Sequence, residues 1–372
     1  MLRLHLVLLC TAVVVLAMSA GAGAAGTTRY VSPTGTDAGT CIGSPCRTIT
    51  YAVGQAISGD TISVASGTYA ESVGVTKTLA LVGHDAVIDA AGQTSPPNGV
   101  VISGAGAAGT TLTGFTVKNA GLEGIFVLET SGVTISANTV VNNDAYGPFN
   151  PLCVDQPDDC GEAIHLQSVT GSTVSKNLVQ NNVGGILLTD ENGPTSENVI
   201  RDNRVLDNTL DCGITLASHW FQLGAPVAPN VAGVYENLVL HNTSNGNGAA
   251  GIGVFAGPPG AAAWGNSVIG NTAMHNGLPG VAIHSHTPFQ NIEDNVVVNN
   301  IVAANGADDD VPGDEGPTGI SILSAVDPIE QVTVAANRIS DEEFGIFAFN
   351  APNISGLASN KFSSVTTPIT LH

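Results

Sequence analysis

The sequence predicts an all-β fold. It is a single-stranded right-handed parallel β-helix, a solenoid of roughly nine to eleven coils, with a short N-terminal capping helix. Three observations predict it. A Gly-Ile-x-Val/Leu unit recurs along the chain, an Asn-x-Val-x-x-Asn unit alternates with it, and stretches with helical amphipathic period are nearly absent. Internal repetition of this kind points to stacked units, since one coil cannot bury its own apolar face. Composition agrees, with 45 glycines and only 5% aromatic residues leaving little material for a propeller signature.

The first unit runs from Gly124-Ile125-Phe126-Val127 to Gly345-Ile346-Phe347-Ala348, with Pro368-Ile369-Thr370-Leu371 closing the series. Alternation along a strand turns Ile and Val/Leu inward. The expected inward ladder is therefore Ile125, Ile164, Ile186, Ile214, Ile252, Val281, Ile320, Ile346 and Ile369. In the second unit the leading asparagines are Asn138, Asn177, Asn203, Asn237, Asn266, Asn295, Asn337 and Asn360. The trailing ones are Asn143, Asn182, Asn208, Asn242, Asn271 and Asn300. Asparagine tolerates left-handed backbone and forms side-chain ladders, so both columns are expected at coil corners.

The N-terminal part differs. Residues 1–25 have Arg3 and His5, an apolar run from Leu6 to Ala17 and Ala22-Gly23-Ala24, the pattern of a secretory signal peptide. That run is shorter than the ~20 residues a bilayer span needs. No membrane span is expected, and the location is secreted, extracellular or periplasmic. Residues 26–372 form the β-helix domain. Within it, residues 47–57 place Ile49, Val53, Ala56 and Ile57 on one helical face, expected to cap the open end of the solenoid. Gly59-Asp60-Thr61-Ile62 then opens the first coil.

Charge and cysteines bound the chemistry. Ten Lys+Arg against 31 Asp+Glu give a net charge of -21, which excludes nucleic acid and anionic membranes as partners. A polyanionic glycan would need Ca²⁺ or a small local cluster. Export permits disulfides; Cys41 with Cys46 and Cys153 with Cys160 bracket short loops that a bridge would close. Cys212, followed by the Gly213-Ile214 unit, is expected to be packed rather than nucleophilic.

The run from Tyr30 through Cys41, Cys46, Gly59-Asp60-Thr61-Ile62 and Gly67-Thr68-Tyr69 resembles the opening of secreted bacterial right-handed β-helix proteins. With the repeats, nearly the whole mature chain is similar to the pectate-lyase-like superfamily. That resemblance implies the fold. It implies no single activity, because the superfamily holds lyases, hydrolases, epimerases and surface proteins. The several Asp and the Arg base of classical pectate lyases find no match here, nor do the paired-Asp and Gly-His-Gly motifs of polygalacturonases.

The repeat register does yield a candidate site. Equivalent residues in stacked coils lie about 4.8 Å apart. This brings Asp190, Glu191, His219, His284 and His286 to one side of the solenoid, with His165 lower down. Gly253, Ala256 and Gly257 are expected to leave a shallow gap between His219 and His286. Asp190, Glu191, Asp211 and His219 are the catalytic candidates. A carboxylate pair, Asp190 or Glu191 opposite Asp211, suits glycoside hydrolysis. His219 as base suits proton abstraction from a uronate, as in polysaccharide β-elimination. His165, His284, His286 and Trp220 are candidate substrate contacts, alongside the loop aromatics Tyr146, Phe149 and Phe221. Asp308, Asp310 and Asp314 form an acidic insertion able to hold Ca²⁺, though without EF-hand spacing; no other cofactor is indicated. The expected function is a secreted, monomeric carbohydrate-active protein, a polysaccharide lyase or glycoside hydrolase acting on a polysaccharide or cell-surface glycan. The alternative is a non-catalytic solenoid that binds glycan or protein.

Overall fold

A computed structural model describes residues 26–95, 97–144, 161–308, 310 and 316–372. Residues 1–25, expected as a signal peptide, the Cys153–Cys160 loop with Tyr146 and Phe149, and Asp314 lie outside the described residues.

Each coil contributes three short parallel strands, so three sheets run the length of the molecule. The first sheet contains Thr61–Val64, the second Gly67–Tyr69 and the third Val73–Val75, each paired in parallel with its equivalents above and below. The third sheet carries the isoleucine ladder, and its register is the one expected. Ile125 pairs with Ile164, then Ile186, Ile214, Ile252, Val281, Ile320, Ile346 and Ile369. Val73 and Val100 extend the ladder below Ile125. All are buried in one continuous core except Ile369, which the last coil leaves 36% exposed.

The asparagine columns are real, but there are three of them. Asn138–Asn177–Asn203–Asn242–Asn271–Asn300–Asn337–Asn360 is one ladder of amide-to-amide hydrogen bonds. Asn143–Asn182–Asn208–Asn247–Asn276–Asn305 is a second, ending on the Glu342 carboxylate. Asn198–Asn237–Asn266–Asn295 is the third. Reading Asn203 above Asn237 is therefore corrected: Asn203 donates to Asn242 at 3.0 Å, and Asn237 receives Asn198 at 3.0 Å. The slip has a simple cause. Corner asparagines recur every five residues, as in Asn198, Asn203 and Asn208, so a shift by one strand also matches.

The left-handed residue at these corners is also not the expected one. Ala137, Lys176, Asp202 and His241 have positive φ, each immediately before a ladder asparagine. The asparagine keeps ordinary backbone and spends its amide on the ladder. Stacked hydrogen bonds offset the ~1–2 kcal/mol that left-handed geometry costs a residue with a Cβ.

The N-terminal helix spans Ile49–Gln55, with Thr48 as N-cap accepting from the Tyr51 N–H. Glu71 adds acceptors for the Ile49 and Thr50 N–H groups, both at 2.8 Å. Ile49, Ala52 and Val53 are buried. Ile57 is not on this face: the helix ends two residues earlier and Ile57 is 68% exposed. The solenoid also starts sooner than Gly59, because Thr28–Val31 already pairs with Thr61–Val64. Cys41 and Cys46 form a disulfide.

One asymmetry matters for function. Strands of the first and second sheets bury mainly their inner faces, as in the pattern of Leu178–Gln180, with Ser175 and Ala303 as buried exceptions. Strands of the third sheet are buried on both faces from Glu162–Gln167 to Thr318–Ser324, apart from the half-buried Gln167 and Phe255.

Candidate functional site

Every titratable candidate of the sequence that falls among the described residues lies on or beside the outer face of this third sheet. Strand alternation explains why. Residues one and three past a ladder isoleucine point outward, giving the column Phe126, His165, Leu187, Thr215 and the column Gln167, Thr189, then Ala217, Phe255, His284. Glu191, His219 and His286 follow where the chain leaves the sheet.

Hydrogen bonds join part of this set across three coils. His165 Nε2 lies 2.8 Å from Thr189 Oγ1. The Thr189 hydroxyl donates to Glu191 Oε2 at 2.5 Å. Glu191 Oε1 lies 2.7 Å from His219 Nδ1. The network assigns the protons. Thr189 gives its only hydrogen to Glu191, so His165 Nε2 carries the proton that Thr189 accepts. Glu191 is ionised: burial alone would raise its pKa, but the His219 hydrogen bond and the charges of His165 and His219 outweigh burial and hold it at about 2. An ionised carboxylate accepts, so His219 donates to it from Nδ1.

Asp190 has a different task. Its Oδ1 accepts the His219 N–H, and its Oδ2 accepts from the Ser218 hydroxyl and the Gly233 N–H, all at 2.7 Å. Ser218 in turn accepts from Ala262 N–H. Asp190 is fully buried, and burial pushes its pKa up against the pull of these donors. With all three donors on it, Asp190 pins the backbone that carries His219 and offers no open oxygen to a ligand.

Asp211 belongs to another end of the sheet. It precedes its ladder isoleucine by three residues, whereas Glu191 follows its own by five. At ~3.3 Å per residue the two are separated by on the order of 20 Å. Paired glycosidase carboxyls need about 5–9.5 Å, so the pairing of Asp190 or Glu191 with Asp211 is corrected. Asp211 instead neighbours Glu162 across Gly184, where any side chain would strike both. Glu162 and Glu123 cluster with His165, and Glu123 Oε1 lies 3.7 Å from His165 Nδ1. Neither glutamate is among the candidates expected from sequence. Each stands two residues before a ladder isoleucine, where alternation alone predicts the inner face, so the register did not reveal them.

A second cluster lies about two coils above His219, roughly 10 Å along the axis. His284 Nε2 is 2.8 Å from Asp308 Oδ2, and Asp310 Oδ2 lies 4.0 Å from His284 Nδ1 and 3.8 Å from His286 Nε2. Burial would raise the Asp308 pKa, but bonding to His284, the His284 charge and the Ser321 hydroxyl outweigh it and hold the carboxyl low. Burial, then the His284 charge, lowers His286. The expected gap between His219 and His286 is partly filled, because the Phe255 ring lies over Gly253, where a Cβ would come within 2.1 Å of it.

Trp220 packs locally with Val227, Ala232, Ala262 and Trp264; the exposed ring beside it is Phe221. Cys212 is buried as expected, though on the outer face with Ala250 and Ala282 rather than in the solenoid interior. Burial and the Asp211 charge raise its pKa, so it is a thiol. No helix among the described residues is long and apolar enough to cross a membrane.

Residues 93–258 match the family described as "Right handed beta helix region". The chain is a right-handed parallel β-helix protein. Among solved structures, it superposes on the A-module of the mannuronan C-5 epimerase AlgE4 of Azotobacter vinelandii with a TM-score of 0.62 at 13% identity, covering 93% of this chain and 89% of that one. PfbA, a surface adhesin of Streptococcus pneumoniae, gives a TM-score of 0.49 at 14% identity, covering 83% of each chain. The DFA-IIIase of Arthrobacter chlorophenolicus gives 0.45 at 13% identity, covering 82% and 84%. At these identities the likeness is one of fold. No curated protein sequence matches the chain significantly.

Proposed function

We infer that this is a secreted carbohydrate-active enzyme, a polysaccharide lyase that removes a proton from a uronate ring with His219 as base. The single observation behind this reading is the Glu191–His219 pair. An ionised carboxylate at 2.7 Å orients the imidazole and stabilises the imidazolium that forms when Nε2 takes a proton. Asp190 acts as a positioning residue through the His219 backbone. Thr189 and His165 hold the far side of Glu191. In β-elimination the C5–H electrons form the C4=C5 double bond, the glycosidic C4–O bond breaks, and the departing oxygen takes a proton. The buried set Glu123, Glu162 and His165 serves the electrostatics of the site. Glycoside hydrolysis is less well supported, since Glu191 is held ionised and so does not serve as an acid.

The comparisons bear on the reading only through fold, although one neighbour is named as a C-5 epimerase, and epimerisation starts with the same proton abstraction. The test is to incubate the mature protein with alginate, pectate and neutral glycans. Product is followed by absorbance at 235 nm and by reducing ends. Unsaturated product that falls at least 100-fold in His219→Ala supports the reading. Reducing ends without absorbance would favour hydrolysis. Inverted uronate without chain cleavage would favour epimerisation, and tight binding with no turnover would favour a non-catalytic binding solenoid.

A further inference from the structure

We propose that His284, His286 and Asp310 form a site for a divalent transition metal of the zinc class. The site is separate from the Glu191–His219 pair and does not depend on any reading of its chemistry.

Two imidazoles and one carboxylate bring their ligand atoms within 4.8 Å of one another. Tetrahedral zinc with bonds of about 2.0–2.1 Å sets ligand atoms about 3.4 Å apart. The present spacings of 4.0 Å and 3.8 Å to Asp310 Oδ2 exceed that by roughly half an ångström. Asp310 is well exposed, at 66%, so it is the member able to close the difference. The histidines are fixed: His284 stands on the strand Val281–Ser285, and the His286 N–H is held by Gln290.

Asp308 supplies the second observation. It is buried against the opposite nitrogen of His284, at 2.8 Å from Nε2. A carboxylate behind a ligating histidine keeps the proton on the far nitrogen and presents the near one as a lone pair. Here the near nitrogen is Nδ1, the atom that faces Asp310. His286 Nε2, like His284 Nε2 and Asp308 Oδ2, is buried without a partner of hydrogen-bond geometry, an arrangement that is costly unless something binds there. Imidazole nitrogens select zinc, cobalt, nickel or copper over calcium, which takes oxygen ligands. The donor set of His284, His286 and Asp310 therefore suits a zinc-class ion better than Ca²⁺.

The test uses untagged, EDTA-dialysed full-length protein. Zn²⁺ binding is measured by calorimetry against a chromophoric chelator, and Co²⁺ by its visible spectrum. The expected result is one ion per chain, with affinity falling at least tenfold in both His286→Ala and Asp310→Ala while apo-protein Tm stays unchanged. Asp308→Asn is expected to weaken binding without removing it. Failure of the wild-type protein to bind Zn²⁺ or Co²⁺ at one ion per chain would overturn the proposal. So would affinity unchanged in His286→Ala and Asp310→Ala, or displacement of Zn²⁺ by equimolar Ca²⁺.

Discussion

Replacing Glu191 by Gln isolates the charge in the hydrogen-bonded row without changing its size. The folded protein holds this carboxyl at about 2, against an ordinary value of 4.5. A tenfold change in an ionisation constant is worth about 1.36 kcal/mol, so the depressed pKa corresponds to a contribution of at most about 3.4 kcal/mol, reduced somewhat because the side chain is 29% exposed. The sign is that of a depressed acid. The unfolded chain binds the proton more readily, so the stabilisation is complete above about pH 4.5 and disappears as the pH falls through about 2. Glu191→Gln has no such proton to bind. It also has only one acceptor oxygen, so either His219 Nδ1–H or the Thr189 hydroxyl loses its partner at every pH, a further ~1–3 kcal/mol. The assay is urea unfolding of both proteins from pH 2 to pH 7, with the stability difference plotted against pH. The difference is expected to be largest near neutrality and to narrow by about 2–3 kcal/mol between pH 4.5 and pH 2. A difference that is flat across that window would refute the claim that the row stabilises an ionised Glu191.

Two further outcomes follow from the same structure. Asn203→Ala removes an amide that donates to Val174 O and Asn242 Oδ1 and accepts twice from Asn177. It leaves a buried N–H and C=O without partners, so chemical denaturation should show a loss of about 3–5 kcal/mol. Cys212, a buried thiol with a raised pKa, should escape alkylation by iodoacetamide at pH 8 in the native protein and react fully in guanidinium, as peptide mapping by mass spectrometry would show.

The parts of this molecule that could be read from sequence are those where one residue type serves one position. The isoleucine ladder was legible because only the third sheet uses Gly-Ile-x-Leu, and its register held from Ile125 to Ile369. The asparagine ladders were half legible, because all three corners use the same amide at five-residue spacing. No local pattern then separates Asn237 from Asn242. Glu191 and His219 were found because the ladder fixes their coil. The base role of His219 was also read from sequence, but the Thr189 bridge and the three donors on Asp190 were not, because they depend on loop geometry that a strand register does not contain. Asp211 was misplaced for the same reason: nearness in the repeat was read as nearness along the strand. The pairing of His284 with Asp308 joins residues 24 positions apart (308 − 284) across an insertion, and nothing in the repeat predicts it.

The placement of both clusters follows from one departure from the repeat. A β-helix coil needs only its inner face to be apolar, and two of the three sheets here obey that minimum. The third buries its outer face as well, and that face is where the chain spends His165, Thr189, Asp190, Asp308 and His284. Burying these groups carries a desolvation cost that apolar residues would avoid. Fold stability gives no reason for it, because the inner ladder already supplies the core. Ser321 and Thr215 continue the same buried outer column, so polar burial is a property of the sheet rather than of one residue. Low dielectric strengthens each hydrogen bond in such a row and fixes its proton positions. That is what the proposed base His219 would need from Glu191, and what the proposed ligand His284 would need from Asp308. The carboxylate stands beside one nitrogen of the imidazole in both clusters, at 2.7 Å for Glu191 with His219 and 2.8 Å for Asp308 with His284.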